Sequence, residues 1–147
     1  MTGLTGARWL AVDYGERRIG LAVSEPMGIV VSPAGHIERR AGKRPPVAEL
    51  LRRAAELGAT GFVLGLPLDA DGTETPRCAE VRSVGHALAE RSGLPVRYVD
   101  ERFTTAAALR AIREQGGSTR GRRGDVDALA AVVLLRHALK LPAGDGE

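Results

Sequence analysis

The sequence predicts an α/β fold: a central mixed five-stranded sheet, an antiparallel meander followed by parallel strands, flanked by helices. Three observations carry this. "WLAVDYG" and "RIGLAVSE" are short β-rich runs on either side of a polar turn with Gly15 at the bend, the pattern of a hairpin. After them, stretches with helical spacing alternate with short apolar runs, as αβ units do. The chain then closes on two successive helical patterns. Its 147 residues suffice for one domain with a real core. That domain is read as residues 1–147, with an ordered core over about 8–140 and short frayed tails.

The elements follow in order. "GIVVSPAGHIE" is a third strand, interrupted at Pro33 and therefore an edge. "RRAGKRPP" is a polar loop. In "VAELLRRAAELG", Val47, Leu50, Leu51, Ala54 and Leu57 keep helical spacing, and Gly58 is a natural stop. "TGFVLGLP" is a buried strand ending at Gly65. In "LDADGTETP", Thr75 caps a helix whose first residue is Pro76, with Thr73 as the alternative cap. That helix runs to about Ser92, and Gly93 and Pro95 close it. "PVRYVDE" is a strand, and "TTAAALRAIREQGG" a capped helix ended by Gly116 and Gly117. "GGSTRGRRGD" is a basic loop. "DVDALAAVVLLRHALK" is the last helix, with Asp125 as its N-cap.

Composition excludes several classes. Hydrophobic residues are 44% and charged residues 27%, an ordinary globular balance. No apolar run approaches the roughly 20 residues that span a bilayer. The N-terminus lacks a charged start followed by an apolar stretch and a cleavage site, so the chain reads as cytoplasmic, with no membrane partner. The single cysteine, Cys78, excludes an internal disulfide and a cysteine-built zinc site, and reads as a small packed side chain. His36, His86 and His137 are scattered and read as ordinary helix or surface residues. The formal charge of +3 hints at a polyanionic partner. Lys43 and Lys140 are the only lysines among 21 basic residues. Arginine suits bidentate phosphate contacts, although heavy Arg and Ala usage also follows from a GC-rich genome.

Three acidic positions break the pattern. Asp13 ends the first strand, Asp100 and Glu101 stand where "VRYVDE" gives way to a helix, and Asp127 lies in the first turn of the last helix. Ala131, Leu134 and Ala138 follow Asp127 on one face, so Asp127 heads an inward stripe. Singly, each acid has an ordinary alternative: a turn residue, a complement to the helix dipole, or half of a surface ion pair. Converging, they would raise one another's pKa unless a cation answers them. A hard divalent cation with oxygen ligands does so. Two such ions about 4 Å apart activate water and stabilise the leaving oxygen in phosphodiester cleavage. By the same repulsion argument, Asp13→Asn stabilises the metal-free protein.

The stretches "AVDYGERRIGLAVS", "VLGLPLDADGTE", "VDERFTT" and "VDALAAVVLL" resemble, in order and spacing, the motifs of the YqgF/RuvX family. These are Holliday junction resolvase-like proteins also described as pre-16S rRNA nucleases. The resemblance spans Leu10 to about Leu139. It implies an RNase H-like fold and a nuclease dependent on a divalent metal, Mg2+ or Mn2+, acting on the precursor of the small-subunit ribosomal RNA. Asp13 matches the acid of the first motif, Glu101 that of "DER", and Asp127 that of the C-terminal "VD". They are the implied catalytic and metal-binding residues. Asp100 is secondary, because neighbours along a strand point to opposite faces. Asp125 is a departure, an acid where the family pattern carries a basic or neutral residue.

Beside such a cluster, Arg120, Arg122 and Arg123 in "STRGRRGD" can grip phosphates, and Arg102 is a further substrate-binding candidate. Alone, that loop would read as a solvated connector. Arg39, Arg40, Lys43 and Arg44 form a second basic patch. Aromatic residues are only 3%, which favours recognition of structured RNA by backbone and shape over stacking on single-stranded bases.

The competing readings are a resolvase acting on branched DNA, which needs a dimer for paired cuts, and a non-catalytic nucleic-acid-binding module. The chain is accordingly a monomer or a homodimer. "DYGERRIGLAVS" also resembles the phosphate-binding hairpin of the actin and sugar-kinase group, whose paired domains need a longer chain. If the Arg loop binds phosphates, replacing Arg120, Arg122 and Arg123 by Ala lowers the log–log salt slope of nucleic-acid binding by about 2–3. A binding titration across KCl concentrations checks this, and an unchanged slope makes the loop a connector.

Overall fold

The computed structural model describes residues 7–27, 30–39, 44–114 and 123–140. Strands β1 (Trp9–Tyr14), β2 (Arg18–Ser24) and β3 (Val31–Glu38) are followed by helix α1 (Val47–Leu57), strand β4 (Gly61–Leu66) and helix α2 (Pro76–Ser92). Strand β5 (Val96–Asp100) leads through a 3₁₀ turn, Glu101–Phe103, into helices α3 (Ala106–Glu114) and α4 (Arg123–Lys140). The five strands form one sheet in the order β3-β2-β1-β4-β5. β1 pairs antiparallel with β2 and parallel with β4; β2–β3 is antiparallel and β4–β5 parallel. The mixed sheet is the one expected, a meander extended by parallel strands on the far side of β1.

Burial explains the strand sequences. β1 and β4 lie inside the sheet and are buried along their whole length, hence their nearly continuous apolar runs. Alternation sorts their side chains between two cores. Leu10, Val12, Tyr14, Phe62 and Leu64 pack with Leu50 and Ala54 of α1 and Val81, Val84 and Leu88 of α2. Trp9, Ala11 and Val63 face the other way, against Ala131, Leu135 and Ala138 of α4. The small residues Ala11 and Ala22 beneath Ala131 and Ala138 let α4 lie close on the sheet. α4 crosses β2, β3 and β1, and meets α3 through Ala106, Ala130 and Leu134. The inward stripe of Ala131, Leu134 and Ala138 is fully buried, as its spacing predicted.

The termini follow local chemistry. Gly58 closes α1 at φ 70° and Gly93 closes α2 at φ 74°, backbone that only glycine adopts readily. Cys78 is buried in α2. Pro33 sits on the edge strand, beside a register shift between Gly20 and Ala22. Two boundaries differ from the sequence reading. β4 continues one residue past Gly65, because Leu66 still pairs with Asp100 of β5. α4 begins at Arg123, so Asp125 is inside the helix and is not its N-cap. Arg123 is accordingly the first residue of that helix, not part of a loop. Gly116 and Gly117 lie outside the described residues.

Thr75 caps α2: its hydroxyl oxygen accepts from the Cys78 N–H at 3.3 Å and donates to the Pro67 carbonyl at 3.1 Å. Thr75→Ala therefore loses the cap and the tie to the β4–α2 loop together, a destabilisation of about 1–2 kcal/mol. Urea denaturation measures it, with Thr75→Ser retaining most of the stability.

Candidate active site

Strand parity aims Asp13 at the α3–α4 side of the sheet. It follows Trp9 and Ala11 on that face, and its side chain is 1% exposed. Glu101 follows Val99 on the same face, just beyond the end of β5, and is 3% exposed. Between them runs β4, where Gly65 carries no side chain. A Cβ there would stand 2.8 Å from Leu134 Cδ1 and 3.4 Å from Glu101 Oε1. The glycine makes room for the Leu134 side chain of α4 beside the Glu101 carboxylate.

The local chain folds to hold this arrangement. Asp100 caps the 3₁₀ turn by accepting from the Arg102 N–H at 3.0 Å, and its carboxylate takes the Arg102 guanidinium. The Thr104 hydroxyl donates to the Glu101 carbonyl at 2.8 Å and accepts from the Ala106 N–H at 3.1 Å. These bonds turn the chain directly into α3, which carries Arg110 and Arg113 back over the acids.

Both arginines answer the carboxylates. Arg110 Nε lies 3.3 Å from Asp13 Oδ1, and Arg110 Nη2 contacts Glu101 Oε2, so one guanidinium bridges the two acids. Arg113, whose side chain is 1% exposed, places Nη1 2.8 Å from Asp13 Oδ2. Burial pushes the Asp13 carboxyl above its ordinary range against the pull of Arg110 and Arg113. Burial raises Glu101 as well; Arg110 opposes this and the Asp13 charge adds to it. The repulsion inferred from the sequence is thus present, but burial is the larger cause.

The end of α3 is clipped to the β1–β2 turn. Glu114 Oε1 accepts from the Arg17 N–H at 3.2 Å, and Arg18 Nη1 donates to the Arg113 carbonyl at 3.3 Å. Gly15 is needed here for closeness: a Cβ would meet the Arg113 and Glu114 side chains and stand 2.5 Å from the Arg18 carbonyl oxygen. Beside the acids opens a cleft of about 390 Å³, lined among others by Glu101, Arg77, Arg102, Arg110 and the apolar Pro67 and Leu68.

A family model described as "RuvX: Holliday junction resolvase" matches residues 7–141. The chain belongs to the RuvX family. Two relatives carry the name "Putative pre-16S rRNA nuclease". The one from Clavibacter sepedonicus is 38% identical over 93% of this chain and 85% of its own length. The one from Cutibacterium acnes is 40% identical over 95% and 85%. Thermus thermophilus RuvC, solved in complex with a Holliday junction substrate, superposes with a TM-score of 0.53 at 14% identity, covering 90% of this chain and 93% of that one. This likeness shows that the RuvX chain shares the RuvC fold, the RNase H-like architecture expected from the motifs.

The structure brings together two of the acids that the RuvX motifs singled out, Asp13 and Glu101. Asp127 is in α4, one turn before the buried Ala131, and its side chain lies outside the described residues. Among the described residues no group of three or more His, Cys, Asp or Glu side chains is arranged to hold a metal ion. Asp100 stands apart from the pair, as expected for its neighbour-facing position, and holds Arg102. Arg102, the further substrate-binding candidate, donates to both Asp100 oxygens and to the Ala70 carbonyl at 3.0 Å, and it lines the cleft. Arg120 and Arg122 lie outside the described residues.

Arg39 is not part of a solvated patch. It pairs with Glu80 at 3.0 Å and donates to the Gly15 carbonyl at 2.8 Å. Sequence reasoning missed Arg110, Arg113 and Arg77. Ala106, Arg110 and Arg113 recur at i, i+4 and i+7, so both arginines occupy the inward row of α3, and that spacing was a readable signal.

Arg113→Met leaves a buried carboxylate with Arg110 alone and destabilises the protein by about 3–5 kcal/mol. Asp13→Asn in the same chain recovers most of the loss. Because the folded Asp13 pKa is already raised, losing Arg113 raises it further; the stability lost grows as pH rises through the folded value and shrinks toward acid. Urea denaturation in EDTA of the single and double variants, at neutral and acid pH, measures both effects.

Proposed function

We propose that the protein is a divalent-metal-dependent nuclease acting in 5′-end processing of the small-subunit ribosomal RNA precursor, with Asp13, Glu101 and Asp127 holding Mg2+ or Mn2+. The observation that carries this reading is the Asp13–Glu101 pair: two buried carboxylates close enough to share the Arg110 guanidinium, beside a cleft. Buried carboxylates persist only where positive charge meets them. Their oxygen donors fit a hard cation. Asp127 stands two turns before Leu134, the residue over Gly65, on one row of α4, which supports its place as third acid.

When bound, such ions supply Lewis acidity at the phosphoryl oxygens and acidify the attacking water. The chain's residues fix the geometry around that chemistry. Asp13 and Glu101 are set by strand ends and cannot drift, which favours a defined reacting position. Arg77 and Arg102 add positive charge to the cleft wall, where a phosphodiester backbone passes. The relatives' name supports ribosomal RNA as substrate. The family's description supports a second reading on the same acids, an endonuclease for branched DNA, which calls for a homodimer where the first is satisfied by a monomer.

Purified protein is incubated with labelled precursor rRNA and a labelled four-way DNA junction, in Mg2+, Mn2+ or EDTA. Metal-dependent RNA cleavage is the expected result, abolished by Asp127→Asn and retained in Asp125→Asn. Cleavage of the junction alone selects the second reading, and binding without cleavage of either makes the protein a binding module. Mn2+ also raises the melting temperature, by the equivalent of about 2.7 kcal/mol at roughly 100 times Kd, and Asp13→Asn removes the shift.

A further inference from the structure

Arg110 occupies the oxygens that the nuclease reading assigns to a cation. It touches Asp13 Oδ1 and Glu101 Oε2 with two edges of one guanidinium. A divalent ion on those oxygens would stand within about 4 Å of a second full positive charge. The two cations therefore compete, and Arg110 gives up the carboxylates when the ion takes them. Its companion Arg113 stays, because its side chain is 1% exposed and it reaches Asp13 from the closed side. Arg110 has somewhere to go: it is 11% exposed and already lines the cleft with Arg77 and Arg102. A phosphodiester there offers two non-bridging oxygens, the planar bidentate partner that suits a guanidinium released from carboxylates.

We propose that Arg110 is a phosphate-binding residue of the cleft, held on Asp13 and Glu101 in the metal-free protein and transferred to a substrate phosphodiester when a divalent cation binds the acids. This rests on the metal-dependent nuclease reading and deepens it. It makes metal and nucleic acid bind with positive coupling, since each favours the state in which Arg110 has left the carboxylates.

The test measures binding of a fluorescein-labelled RNA hairpin with a single-stranded 5′ extension, by anisotropy across KCl concentrations, in EDTA and at fixed Ca2+. Strand integrity is checked on gels. Wild type is compared with Arg110→Gln and Arg110→Lys. In Ca2+ the slope of log K against log salt falls in magnitude by about 0.7–0.9 in Arg110→Gln and is kept in Arg110→Lys, one phosphate contact being lost or retained. In EDTA the wild-type and Gln slopes coincide. Melting curves against Ca2+ show an apparent metal Kd roughly tenfold tighter in Arg110→Gln, the internal competitor being gone.

Equal slopes in Ca2+ overturn the phosphate role. A slope loss of the same size in EDTA overturns the transfer. Loss in Arg110→Lys as large as in Arg110→Gln assigns the effect to packing and overturns both. Should Arg110→Gln not fold, wild type carries the test, because its slope in Ca2+ exceeds that in EDTA by the same increment. A Ca2+ shift in melting temperature absent from every chain refutes the metal reading itself, whereas a normal shift with unchanged slopes refutes only the role of Arg110.

Discussion

The buried charge set formed by Asp13, Glu101, Arg110 and Arg113 is the constraint on which the rest of the site depends. Two carboxylates inside a fold are expensive, and their raised pKa values register that cost. Two guanidiniums from one helix meet them. This requirement fixes the path of α3, which leaves the 3₁₀ turn and must pass over the ends of β1 and β5. It also accounts for two glycines of different purpose. Gly65 makes room for Leu134 beside Glu101, and Gly15 lets the hairpin turn meet the Arg113 and Glu114 side chains.

Around this set the sheet supplies precision. β1 and β4 are enclosed on both faces, so their registers cannot slip without moving an apolar row into the wrong core. That enclosure holds Asp13 at a defined height. α4 rests close over the small residues Ala11 and Ala22. The RuvC-like fold and membership of the RuvX family place this sheet in the RNase H-like architecture. The arginines add a positive charge that the protein carries within itself, so the acids are compensated from inside the fold.

Much of the fold was legible in the sequence because its signals are local. The hairpin at Gly15, the Thr75–Pro76 helix start, the glycine stops at Gly58 and Gly93, and the inward stripe of α4 each rest on residues within a turn or two. The start of α4 was displaced, because Asp125 resembles a cap while the helix extends to Arg123. Asp13 and Glu101 stood out as charges at the ends of apolar strands, and the family motifs named them. The tie of Arg102 to the Ala70 carbonyl was not legible, because it spans 32 residues of chain and leaves no local trace.

The sequence by itself determined the order and type of the elements, the strand parity that sends Asp13 inward, and the two acids, Asp13 and Glu101, that the fold buries at strand ends. These depend on hydrophobic period and on turn and cap residues, which act over a few positions. Only the tertiary structure decided what answers the acids. Arg110 and Arg113 lie 97 and 100 residues along the chain from Asp13 and meet it because β5, the 3₁₀ turn and α3 fold back across the sheet. Electrostatic pairing follows distance in space, and that distance is set when the helices close over the sheet.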